Sequence, residues 1–227
     1  MLTVKQVSKR YGTQIVLHKA DLEVGSEIKA LIGINGSGKS TLLKIAAGIV
    51  EPDEGQVFVN ERNITYLPPE LRNVGYVPQH PALFQHLTVE DNVRYAMRNG
   101  KGTTESCERV IHMMGLEEVL HKKPRQLSGG YQSRVSLARA LVPEPDVLLM
   151  DEPLSGIDVV VKERILPDFR KVLKELEVPV LYVTHDPKEA ELLADSFAII
   201  DNGEVQSVKS SAESFELIRS SIIRAYE

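Results

Sequence analysis

Between Gly33 and Thr41 the chain reads GINGSGKST, with Gly33, Gly38, Lys39 and Ser40 at the fixed positions of G-x-x-x-x-G-K-[ST]. Glycines at this spacing let the backbone curl until successive N–H groups face one anion. The lysine adds a positive charge for β- and γ-phosphates, and the serine hydroxyl is a ligand for Mg²⁺. An apolar strand before the loop and an apolar-patterned helix after it supply the context this motif requires.

A second constellation lies at VLLMDEP, where four apolar residues end in Asp151 and Glu152. An uninterrupted apolar run suits a parallel strand buried on both faces, and ligand sites of open α/β sheets lie at the carboxyl ends of such strands. Asp151 is suited to hold Mg²⁺, mainly through water, which leaves Glu152 to orient and polarise an attacking water. His185 follows the strand VPVLYVT and reaches the same level, within range of a γ-phosphate. Gln79 follows NVGYV and could touch Mg²⁺ or the attacking water.

A third stretch, LSGGYQSR from Leu127 to Arg134, looks like a second anion grip. Ser128 is a good N-cap, and Gly129 and Gly130 allow a close backbone approach to phosphate oxygens. Val135, Ala138 and Leu141 give the following helix an apolar stripe that ends at Pro143. With no lysine of its own, the stretch makes a poor independent triphosphate site.

The elements that position these groups are β at first. LTVKQV alternates, IVLHKADLEV follows the Tyr11-Gly12 turn, and Glu27–Ile32 leads into the glycine loop, with Lys39–Ala47 as its helix. GQVFVN and NIT suggest a hairpin, and NVGYVP a further strand. From about Thr88 to Val142 the pattern is helical. Thr88 and Asp91 make a capping-box-like start before Val93 and Met97, and a second segment, Glu105–Met114, stops at Gly115. Strand and helix then alternate: VLLM, a helix from about Asp158, VPVLYVT, a helix from Pro187 with Asp186 as cap, and FAII. Pro167 should kink or split its helix. The tail, SSAESFELIRSSIIRAYE, is amphipathic and expected to pack on the core. These features predict an α/β protein, doubly wound with a helical insertion.

Composition is compatible with that. The 227 residues include 42% hydrophobic and 26% charged, with a net charge of −5 that argues against broad nucleic-acid binding. The single cysteine, Cys107, precludes an intrachain disulfide and fits a reducing compartment, as a small residue on a helix. The N-terminus lacks a signal-peptide stretch, and no run approaches the ~20 apolar residues of a membrane helix.

Taken together, GINGSGKST, Gln79, LSGGYQSR, VLLMDEP, SGID and VTHD resemble, in order and spacing, the ATP-binding cassette (ABC) ATPases over almost the whole chain. The resemblance implies a P-loop NTPase core with a parallel sheet, an N-terminal antiparallel β subdomain and an inserted α-helical subdomain. Residues 1–84 and 146–227 would form the first two and about 85–145 the third, with no room for a C-terminal regulatory domain.

It further implies ATP and Mg²⁺ as cofactors. Tyr11 would stack on adenine, and Asn35, Gly36, Ser37, Gly38, Lys39, Ser40 and Thr41 would bind the phosphates. Ser40, Gln79 and Asp151 would serve the metal. Glu152 would be the catalytic acid, Gln79 the coupling glutamine and His185 the γ-phosphate switch. Ser128, Gly129 and Gly130 would belong to the nucleotide of a second copy, and Asp158 to the loop linking the two sites of a homodimer. Ile34, Gly156-Ile157 and Tyr131 depart from the usual family residues without removing a group the chemistry needs.

LPPELRNVGYVPQHPALFQHLTVEDNV is similar to importers of the molybdate, tungstate and sulfate group. The resemblance implies work at the cytoplasmic face of a membrane through permease subunits, with a solute-binding protein. The knot Ala82-Leu83-Phe84 would form the groove for a permease helix. An exporter cassette keeps the same chemistry. A soluble ABC ATPase acting on DNA or ribosomes would usually show coiled coils or a second cassette.

Overall fold

A computed structural model describes the backbone of residues 1–226 and the side chains of residues 1–220. Strands β1 (Leu2–Tyr11) and β2 (Gln14–Val24) form an antiparallel hairpin whose turn places Gly12 at φ 60°. Leu2, Val4 and Val7 point inward from β1, and Leu17, Ala20, Leu22 and Val24 from β2. After β3 (Ile28–Ile32) and helix α1 (Lys39–Ala47), strand β4 (Glu54–Val59) pairs with β1 and with the two-residue β5 (Arg62–Asn63). The result is a four-stranded antiparallel sheet ordered β2-β1-β4-β5.

The chain then supplies β6 (Val74–Val77), helices α2 (Val89–Val93), α3 (Thr104–Met114) and α4 (Gly129–Leu141), and β7 (Val147–Asp151). Helix α5 (Val159–Glu175), β8 (Val180–Thr184), α6 (Pro187–Leu193), β9 (Ser196–Asp201), β10 (Glu204–Val208) and α7 (Ser211–Tyr226) complete it. A second sheet has the order β10-β9-β3-β8-β7-β6, parallel except for β10. Its register sets the carboxyl ends level: Ile32 pairs with Thr184, Asp151 with Val183 and Val77 with Met150.

All five residues of β7 and of β8 are buried. Their side chains alternate between two cores, as the period of two in a strand requires. Val147, Leu149, Leu181 and Val183 face α1 and the antiparallel sheet. Leu148, Met150, Val180 and Tyr182 face the layer of α3, α4, α5 and α6, where Val135, Ala138 and Leu141 also pack. Cys107 is fully buried there, as expected of a packing residue.

Thr88 caps α2 by accepting from Asp91 N–H, and α3 ends at Gly115, φ 60°. The first helix differs from the expectation. It ends at Val93, and Arg94–Asn99 winds as a 3₁₀ helix closed by Gly100. Buried Asn92 donates to the carbonyls of Phe84, Leu87 and Thr88, so α2 is fastened to the loop before it.

Pro167 neither splits nor terminates α5, which runs through it for 17 residues. Both Pro167 and Glu163, whose carbonyl loses its helical donor, are exposed, so water can replace the missing N–H. Beneath α1, the buried guanidinium of Arg72 donates to the carbonyls of Ile45, Ala46, Thr65 and Leu67. It thereby satisfies the last turn of the phosphate-loop helix. Helix α7 lies against α6 and β9 with Ser214 buried and Ile218 packed on the core, while Phe215 and Leu217 are exposed. The tail side chains from residue 221 onward lie outside the described residues.

Candidate functional site

The loop after β3 adopts the conformation its glycines permit. Gly36 and Gly38 take φ of 84° and 105°, in the left-handed region open mainly to glycine. A Cβ at Gly33 would strike Ser37 Oγ and the Ile200 carbonyl, whereas Gly36 borders open space. Gly38 caps α1 without a side-chain hydrogen bond, so the first N–H groups of the helix are available to an anion.

Lys39 is buried, with Nζ donating to the carbonyls of Gly33 at 2.9 Å and Ile34 at 2.7 Å. Burial pushes its pKa down, while the carboxylates of Glu152 and Asp151 push it up. Ser37 Oγ is buried without a hydrogen-bond partner among the described residues. An orphaned donor, a positive charge held across the loop and helix N–H groups together fit a polyphosphate.

Two of the three metal-binding candidates, Ser40 and Asp151, also meet. Ser40 Oγ donates to Asp151 Oδ1 at 2.9 Å. The Tyr76 hydroxyl donates to Asp151 Oδ2 at 3.4 Å, a contact that sequence reasoning missed. Its only signal was the position of Tyr76 in the strand that pairs with β7 and leads to Gln79. Burial raises the Asp151 pKa, opposed by the Ser40 hydrogen bond. One hydroxyl and one carboxylate suit Mg²⁺, which takes few protein oxygens and completes its octahedron with water and phosphate.

Glu152 takes φ 45°, a left-handed conformation that costs a non-glycine residue about 1–2 kcal/mol. Its N–H still donates to the Val183 carbonyl, continuing the parallel ladder, and its side chain lies at the carboxyl edge of the sheet. There Oε2 meets His185 Nδ1 at 2.9 Å and Gln79 Nε2 at 3.4 Å. Four loops following β6, β7, β8 and β3 thus converge. Nothing in the sequence signals the backbone strain at Glu152.

Among the described residues, no side-chain hydrogen bond joins the remaining candidates to this cluster. Ser128 caps α4 by accepting from Tyr131 N–H at 3.5 Å, and Gly129 and Gly130 face open space. Among the described residues, no hydrogen bond joins them to the phosphate loop of the same chain. Asp158 caps α5 through Val160 N–H at 2.9 Å. Asn35 and Thr41 lie on the loop and the first turn of α1, and Tyr11 ends β1 with its ring half-exposed beneath the Lys9 ammonium.

The knot Ala82-Leu83-Phe84 closes on itself. Leu83 is buried, Phe84 packs on Tyr95 and the Arg139 guanidinium, and Arg139 donates to the Ala82 carbonyl. A groove of about 680 Å³ opens beside it, lined by Leu71, Tyr76, Ala96 and Arg139 but not by residues 82–84.

Comparisons with known proteins agree with this geometry. Residues 17–155 match the family described as ABC transporter. The molybdate/tungstate import ATP-binding protein of Archaeoglobus fulgidus is 47% identical over 188 residues, 82% of this chain and 78% of that protein. The sulfate/thiosulfate import ATP-binding protein of Synechocystis sp. is 39% identical over 95% of this chain, which spans only 62% of that relative's length. Among solved structures, an ATP-binding cassette dimer in a post-hydrolysis state with ADP and Pi aligns with TM-score 0.78 and 31% identity. That alignment covers 92% of this chain and 98% of the cassette. The phosphate loop, the acidic strand end and these likenesses have one reading: the chain belongs to the ABC transporter family, as an ATP-binding domain.

Proposed function

We propose that this chain hydrolyses ATP as the energy-coupling subunit of a solute importer, working as a homodimer on separate permease subunits. The observation that carries the reading is the convergence of Glu152, His185 and Gln79 beside the Ser40–Asp151 pair. In-line attack on a γ-phosphate needs a positioned water, a group to polarise it and stabilisation of the phosphoryl oxygens. Glu152 Oε2 orients the water, Gln79 holds it from a second side, and His185 orients Glu152 and reaches the γ-phosphate. Lys39 and the loop N–H groups hold the β- and γ-phosphates. Bound Mg²⁺ would supply charge neutralisation between those phosphates, held by Ser40 and Asp151 with Gln79 nearby.

Ser128, Gly129 and Gly130 serve the nucleotide of the partner. The exposure of Ser128 and Gly129 and the absence, among the described residues, of a hydrogen bond from them to the chain's own phosphate loop support this, as does the dimeric state of the similar cassette. Asp158 lies in the loop between the two sites, and Tyr11 carries the adenine. Residues 1–84 and 146–227 form the catalytic core and its β subdomain, with about 85–145 as the helical subdomain.

The names of the relatives support import and an oxyanion such as molybdate, tungstate or sulfate, delivered by a solute-binding protein. Among the described residues no helix is long and apolar enough to cross a membrane. The same reading places the chain at the cytoplasmic face, held there by the permease. The test is co-purification from membranes with an ATPase assay. A multi-span membrane protein and Mg²⁺-dependent hydrolysis are expected; recovery of ribosomes or DNA with no membrane protein would overturn the importer reading.

A further inference from the structure

Two groups outside the reacting cluster join the loops that carry Asp158 and His185. Glu189 on α6 is 3% exposed yet bears a carboxylate, which needs partners to be buried. Its Oε1 pairs with Lys162 Nζ on α5. Its Oε2 accepts from the Tyr182 hydroxyl at 2.9 Å and the Thr184 hydroxyl at 2.9 Å.

Two of these partners, Lys162 and Thr184, lead directly to a loop. Lys162 N–H donates to the Asp158 carbonyl at 2.8 Å in the first turn of α5. Thr184 Oγ1, whose hydroxyl donates to Glu189, accepts from Asp186 N–H at 3.0 Å. The residues on both sides of His185 are therefore fixed by one hydroxyl, which is oriented by Glu189. The desolvated Tyr182 hydroxyl, its pKa raised by burial and by Glu189, stays a donor throughout the ordinary pH range.

We infer that Glu189 is a positioning residue which, with Lys162, couples the placement of the Asp158 loop to that of His185. This rests on the proposed ATPase reading, because it assigns His185 and Asp158 to the two sides of a nucleotide site. A fully apolar pair could hold α5 against α6 equally well. A buried ion pair fixes register as well, because its hydrogen bonds are satisfied in one alignment only. Displacement of the Asp158 loop by an arriving second copy would then be felt at the His185–Glu152 contact.

The experiment compares the full chain with Glu189→Gln, Lys162→Met, Lys162→Arg and the Glu189→Gln/Lys162→Met double variant. Steady-state hydrolysis of MgATP, melting temperature and the imidazole NMR signals of His185 are measured. Expected in both Glu189→Gln and Lys162→Met is a kcat loss of at least about tenfold at unchanged KM, the scale of a sub-ångström misplacement. His185 signals shift in both, Lys162→Arg restores kcat, and the double variant is no worse than the poorer single one. Wild-type kcat in Lys162→Met overturns the proposal, as does a kcat loss in Glu189→Gln that Lys162→Met does not share. Should Glu189→Gln fail to fold, Lys162→Met and Lys162→Arg decide alone. Failure of the ATPase reading itself would show as a wild-type chain without hydrolysis.

Discussion

His185 Nδ1 lies 2.9 Å from Glu152 Oε2, although 33 residues separate them. Neighbouring parallel strands bring them together: β7 ends at Asp151 and β8 at Thr184, and Glu152 and His185 are the next residue of each chain segment. On the proposed reading, this contact orients Glu152 toward the attacking water.

Replacing Glu152 by Gln keeps the size and the hydrogen bond to His185 but removes the charge. Nucleotide binding is expected to persist while turnover falls by about 10²–10⁴-fold, the usual worth of a positioned base. An ATP-bound dimer that outlasts the wild-type one should appear in size-exclusion chromatography with ATP. Near-normal hydrolysis would remove Glu152 from this role.

Gly129 has open space where a Cβ would stand, so Gly129→Asp fits without strain. The new carboxylate would face the γ-phosphate bound by a second copy. Binding of a fluorescent ATP analogue to the monomer should be unchanged, and ATP-driven dimerisation and hydrolysis lost. Lost monomer binding would refute the cross-subunit placement.

Arg72→Met keeps length and apolar packing but removes a donor from four carbonyls, three of them in buried contacts, of which that of Ile45 keeps Gly48 N–H. An unsatisfied buried group costs about 1–3 kcal/mol, so we expect a destabilisation of roughly 3 kcal/mol or more. That corresponds to a drop of about 6–12 °C in melting temperature for a chain of this size. Scanning calorimetry without nucleotide reads it directly, and a shift within a degree would discount the capping role.

Asp53 accepts from Lys9 Nζ and from Arg10 N–H, and the Lys9 hydrogen bond, then that from Arg10, holds its pKa below the ordinary 3.8. A folded-state value below the unfolded one gives stability that is present above the ordinary value. It is lost as pH falls through the folded one. Asp53→Asn should therefore melt below the wild type at neutral pH, with the gap closing as pH falls below the ordinary 3.8. A gap independent of pH would count against this ion pair.

Much of the site was legible from type and spacing alone. The glycine loop, the apolar strand ending in Asp151 and Glu152, and the caps Thr88, Ser128 and Asp186 are local features. Each depends on residues a few positions apart, and each takes the local form expected of it. Local rules faltered where the environment settles the outcome. Pro167 stays inside a helix because the freed carbonyl is exposed, and Met97 falls in a 3₁₀ turn after Asn92 fastens α2 to the preceding loop.

The long-range facts came only with the tertiary structure. Strand order decides that the loops after β3, β6, β7 and β8 share one edge, and register decides that Ser40 reaches Asp151 and His185 reaches Glu152. The left-handed turn at Glu152 and the Lys162–Glu189 link depend on carbonyls and helices remote in sequence, so no short window contains their cause. The sequence by itself determined which groups could handle a phosphate. Parallel pairing of buried strands, whose faces must satisfy two cores at once, decided which of them meet.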